Sequence, residues 1–143
     1  MRKILFRGKS LDNGKWESGY LLENQGRTFI YQATNDNGRI SVAAVEVDPA
    51  TVGQYTGLKD KNGKKIFEGD IIKWDDQSNG RYWRFAVVRI DPDIQFDCSP
   101  IDCINGVFNS GRYNFRYACF AYKDTDNYLS VIGNIHDNAD LIK

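Results

Sequence analysis

Histidine, cysteine and clustered carboxylates are the side chains that could carry catalysis or hold a metal, and this sequence spends few of them. The only histidine is His136, near the end of the chain. Acid–base work needs a partner that orients the ring or exchanges a proton with it, and no such partner can be named from its neighbours. Cys98, Cys103 and Cys119 are the three cysteines. A zinc site pairs close ligands twice over; Cys98 and Cys103 have no second close pair, and Cys119 lies in an alternating stretch that reads as core. Asp75-Asp76 and the Asp91-Pro92-Asp93 turn lack the oxygen-rich loop a hard cation requires. There is no Gly-x-Ser-x-Gly nucleophile turn, and Lys64-Lys65 lacks the Ser or Thr and the helix of a phosphate loop. The expectation is a non-enzyme with no catalytic residues, no metal and no cofactor.

The most suggestive chemistry is arginine interleaved with aromatics, in Arg81-Tyr82-Trp83-Arg84 and Arg112-Tyr113-Asn114-Phe115-Arg116-Tyr117. Single-stranded nucleic acid is held by aromatic stacking and phosphate contact on one accessible face. On a strand, however, Arg112 and Arg116 take one face while Tyr113, Phe115 and Tyr117 take the other. That split favours aromatics in a core and arginines in water. Arg81, Trp83, Arg84, Arg112 and Arg116 are therefore candidate contacts to a partner or a nucleic acid, and nothing more.

The elements that would position these residues are short strands. Asp12-Asn13-Gly14, Asn35-Asp36-Asn37-Gly38, Asn62-Gly63, Ser78-Asn79-Gly80 and Asn105-Gly106 place Gly beside Asn or Asp, the chemistry of hairpin turns. Between them lie alternating runs at Trp16 to Glu23, Ile71 to Trp74, Tyr82 to Ile90, Arg112 to Tyr122 and Tyr128 to Ile135. Ile40 to Val47 is apolar at both parities, which predicts a strand covered on both sides. No window carries a clean helical period; short helical turns are predicted at Pro49 to Val52 and Asp137 to Ile142. Many short strands with glycine turns indicate an all-β barrel or sandwich. The small-barrel reading suits the chain from about Gln54 onward, with the earlier hairpins packed against it, and residues 91–111 read as a long loop.

Composition agrees with one folded domain of 143 residues, since 41% hydrophobic and 13% aromatic residues supply a core. Lys plus Arg is 19 and Asp plus Glu is 19, so no bulk charge steers the chain to nucleic acid or an anionic membrane, and self-association meets little repulsion. Met1 is followed by Arg2 and Lys3, but Ile4-Leu5-Phe6 is too short for an export leader, and no run is long enough to span a bilayer. A cytoplasmic protein with reduced thiols and no membrane contact is expected.

The segment from Val52 to Trp74, VGQYTGLKDKNGKKIFEGDIIKW, resembles the signature of the YopX family of small phage and prophage proteins. Ile4-Leu5-Phe6-Arg7-Gly8-Lys9, Gly14-Lys15-Trp16 and Gly19-Tyr20-Leu21 fit its start. Val131-Ile132-Gly133-Asn134-Ile135, then Asp137-Asn138 and Leu141, fit its end. Ala139 stands where a proline is expected, and residues 91–111 match nothing in the pattern. The resemblance implies an SH3-like small β-barrel with additional N-terminal β-hairpins and little helix: a single domain over 1–143, with hairpins over 1–53, the barrel over 54–143 and an inserted loop over 91–111. It implies no activity. The physical reading of the signature is structural, with Gly69 turning the chain and Asp70 accepting backbone N–H bonds, unless the exposed Lys59, Lys61, Lys64 and Lys65 touch a partner.

Without a catalytic constellation, the preferred function is an accessory binding module acting on a host or phage protein. The alternatives are a nucleic-acid-binding accessory protein, with a basic stripe at the named arginines, an enzyme of unrecognised type, and a structural protein that self-assembles as a homo-oligomer.

Overall fold

Glycine after a polar residue sets most of the turns. Paired positive φ angles at Gln25-Gly26, Asn37-Gly38 and Asn105-Gly106 close three tight hairpins. The computed structural model describes residues 4–142, so Arg2 and Lys3, weighed above against an export leader, lie outside them. The chain divides into two compact units, Met1–Tyr55 and Thr56–Lys143.

In the first unit, β1 (Phe6–Lys9), β2 (Trp16–Asn24), β3 (Arg27–Asp36) and β4 (Arg39–Glu46) form an antiparallel sheet. The order runs β4-β3-β2-β1 and then the start of β5 (Gly53–Lys59), where Phe6 pairs with Gln54. Ile30, Val47 and Tyr55 are its buried apolar side chains. The predicted helical turn is a 3-10 turn at Pro49–Thr51, capped by the Asp48 carboxylate, which accepts from Ala50 N at 3.0 Å. One expectation fails here. Arg39 to Ala44 is exposed throughout, so β4 is not a strand covered on both sides. It is the edge of the sheet, and β-branched residues favour the extended backbone whether or not they are buried.

In the second unit, the later part of β5 lies beside β6 (Lys65–Phe67). β7 (Asp70–Asp75), β8 (Trp83–Ile90), β9 (Ile94–Asp97), β12 (Asn114–Arg116) and β13 (Ser130–Asn134) build a five-stranded sheet in the order β12-β9-β8-β7-β13. Alternation along β7 and β8 sends Ile72, Trp74, Ala86 and Val88 to one apolar cluster, with Phe96, Phe120 and Leu129. Ile71, Phe85 and Val87 go to a second, with Ile101 and Ile104. The all-β class holds, but the sheet ends on β12 and β13 and does not close; among the described residues no sheet closes into an SH3-like barrel.

Three boundaries differ from expectation. Residues 91–111 are not a loop: they hold β9, an internal strand, and the hairpin of β10 (Cys103–Ile104) and β11 (Val107–Phe108). The four residues of β9, set between Pro92 and Pro100, are too few for the alternation Ile94, Phe96 to stand out in sequence. The run from Arg112 to Tyr122 is strand only at β12, followed by a 3-10 turn, Tyr117–Cys119, so Cys119 is exposed and not core. The last strand begins at Ser130, because α1 (Thr125–Tyr128) takes the preceding turn. Ala139–Leu141 is the predicted C-terminal helical turn. Among the described residues no helix is long and apolar enough to cross a membrane.

Candidate functional site

β8 places Trp83 and Arg84 on opposite faces of the sheet. Arg84 points to the larger apolar cluster, where its side chain is 12% exposed and its Nη2 lies 3.0 Å from Asp76 Oδ2. Its guanidinium also stacks on Tyr113 and Phe115, 5.1 Å and 5.6 Å from the ring centroids. This arginine fastens the turn after β7 to β12. Arg112 pairs with Asp102 and donates from Nη1 to Ser99 O at 2.8 Å. Arg116 is exposed on the sheet face away from Arg84, in register with Gln95, and Arg81 is exposed in the turn before β8. The structure therefore brings Arg84 together with its aromatics, and it commits Arg84 and Arg112 to carboxylates.

Trp83 is half-buried beside the second cluster. With Lys73, Val107, Ile132 and Leu141 it lines a cleft of about 530 Å3 between the sheet, the β10–β11 hairpin and the C-terminal 3-10 turn. The Lys73 ammonium sits 5.3 Å from the Trp83 ring centroid. The hairpin wall is fixed by Asn109, whose side-chain carbonyl accepts from Phe85 N at 3.0 Å. Its amide donates to Phe85 O at 2.8 Å and to Ile101 O at 2.9 Å.

His136 is half-buried and its backbone N–H donates to Asn134 Oδ1 at 3.0 Å. Burial raises the Cys98 thiol to about 12, which removes it as a nucleophile at neutral pH, while Cys103 and Cys119 are exposed. Among the described residues no three His, Cys, Asp or Glu side chains gather where they could hold a metal.

The signature residues act on the backbone. Gly69 has φ 91°, and Asp70 Oδ2 accepts from Phe67 N at 2.7 Å. Asp60 is 1% exposed, and its carboxylate accepts from Asn62 N, Lys64 N and Val131 N, each at 2.9 Å. At the other end of the chain, Gly133 leaves room for the Asn138 side chain, whose Oδ1 accepts from Asn134 N at 3.1 Å.

Sequence reasoning missed an exposed apolar face of the first sheet. Cross-strand pairing places Tyr20 beside Tyr31 and Ala44, Leu22 beside Phe29, and Ala33 beside Val42, all on one face of β2–β3–β4. Tyr20 is 62% exposed, Val42 65% and Ile40, which lies further along the same face, 69%. β4 pairs with β3 over eight consecutive residues without a bulge; at its end Glu46 O accepts from Leu11 N at 3.0 Å, and the outer edge before it, at Ile40, Val42 and Ala44, is open. The signal was the doubly apolar run at Ile40 to Val47, read as burial when it marks an edge.

A family model described as YopX protein matches residues 5–143. The crystal structure of protein EF1440 from Enterococcus faecalis is similar in fold, with a TM-score of 0.56, 22% identity and 100% of each chain covered. No curated protein matches the chain.

Proposed function

The chain belongs to the YopX family, and from that premise we propose that it is a phage- or prophage-encoded, non-catalytic binding module that acts in the bacterial cytoplasm by taking an extended segment of a host or phage protein along β4. The observation that carries this reading is the open, bulge-free edge of β4 beside an exposed face of Tyr20, Tyr31, Ile40 and Val42. Natural edge strands are protected by charge, proline, bulges or a covering element. β4 has charged residues only at its ends, Arg39 and Glu46, and Glu46 is already paired with Arg27. An added strand would satisfy the open backbone groups, and alternate side chains would pack on the apolar face. The cation on that face, Arg27, is already paired with Glu46, so a polypeptide suits the face better than a nucleic acid.

The test is a pull-down from host lysate with wild-type chain, Ile40→Lys and Val42→Lys, with and without nuclease, at low and high salt. The reading expects a protein that survives nuclease and salt and is lost with both variants, whose unfolding midpoints stay at the wild-type value. With that protein purified, the β4 amides become protected from hydrogen exchange. Recovery of nucleic acid that disappears with salt, or capture indifferent to both variants, overturns it. A wild-type homodimer in sedimentation that both variants dissociate assigns the edge to a second copy instead.

A further inference from the structure

We propose that the cleft beside Trp83 in the second unit is a binding site for a small monocarboxylate with a flat apolar body, independent of the β4 edge. Lys73 carries the argument. It extends from β7 on the face whose other inward residue is the fully buried Ile71, and its cross-strand neighbours are Phe85 and Ser130. The two arginines of the neighbouring strand β8 have carboxylate partners: Arg84 pairs with Asp76 and Arg89 with Asp97. Among the described residues no carboxylate reaches the Lys73 ammonium, which has the Trp83 ring alone as its charge-stabilising contact. A half-buried cation without a counter-ion is a standing site for an anion.

The walls define the rest of the ligand. Trp83, Val107, Ile132 and Leu141 give apolar surface around the cation, and about 530 Å3 fits a small organic molecule. Asp140 stands exposed at the rim and repels a second negative charge, which favours a monocarboxylate over a phosphate dianion. The cleft is formed in advance. Asn109 bonds the β10–β11 hairpin to β8, and Ser110 N donates to Trp83 O at 2.9 Å. Binding therefore requires little ordering of the protein.

The experiment titrates the full chain with indole-3-acetate and 3-phenylpropionate, following the indole N–H signal of Trp83 by NMR and assigning it with Trp83→Phe. Indole-3-acetamide is the neutral control. The expected result is a saturable shift of that signal with the acids. Lys73→Met should weaken the acids by about tenfold or more while leaving the amide unchanged, since an ionic hydrogen bond is lost and the side-chain stem is kept. Val107→Glu, on the exposed hairpin wall, should abolish acid binding by supplying Lys73 with a tethered carboxylate. No saturable shift with either acid, or equal acid affinity in wild type and Lys73→Met, overturns the proposal. Both variants are compared only after their unfolding midpoints match wild type within error, and Val107→Glu stands as the test where Lys73→Met does not fold.

Discussion

At the residue scale the signature is a set of backbone anchors. Gly69 has φ 91°, and its N–H donates to Val88 O at 2.8 Å, so a β-branched side chain must either strain the turn or break that bond. Gly69→Val should lower unfolding stability by more than about 1 kcal/mol, and an unchanged urea midpoint would refute the turn argument. Asp60→Ala removes one carboxylate from three backbone N–H groups and should cost about 3 kcal/mol in the same measurement. Cys98 gives a chemical test. Burial raises its thiol to about 12, so its stabilising contribution is full below the ordinary thiol value of 9.0 and is lost as pH rises toward 12. A thiol reagent at neutral pH should titrate two cysteines in the folded protein and the third only after denaturant is added. Gly69 and Asp70 were legible because turn chemistry is local. Gly19 was legible only as part of a resemblance: its necessity comes from β3, since a Cβ there would collide with the Tyr31 carbonyl.

At the element scale, legibility depended on length and on where the partner strand lies. The β5–β6 turn and β7 were read correctly because strand and turn signals adjoin in sequence. β9 was missed because two of its four side chains are polar and prolines flank it, so its membership in the sheet rests on pairing with β8 and β12. β4 was identified as a strand and misjudged as buried, because periodicity reports extended backbone and not what covers it. The β10–β11 hairpin depends on one side chain. Asn109→Ala should free it from β8, destabilising the chain by about 2 kcal/mol through the unpaired Phe85 N–H and lost carbonyl partners. Hydrogen exchange across Cys103 to Phe108 should quicken in that variant more than exchange in β7.

At the scale of the whole molecule, apolar content is unevenly spent. The five-stranded sheet buries side chains on both faces, whereas residues 39–44 bury none. Hydrogen exchange by mass spectrometry should therefore show the slowest amides in β7 and β8 and the fastest strand amides in β4, in the isolated protein. Uniform protection across the strands would mean that β4 is covered in solution. Composition indicated a chain able to fold and a balance of charges without bulk steering; it could not show which apolar residues stay outside, because exposure is decided by strand order. The candidate arginines illustrate the same limit, since strand parity in sequence gave no hint that Asp76 and Asp102 would be their partners.

On the proposed function, the open β4 edge also separates what folds the chain from what it would recognise. A backbone ladder is blind to sequence, so selectivity at this edge rests on the side chains of Ile40, Val42 and Ala44, which contribute almost nothing to the core. Substitution there carries little penalty in stability. If β4 is the docking edge as proposed, a lineage built on this scaffold could exchange one partner for another at three positions while the rest of the sequence stays as it is.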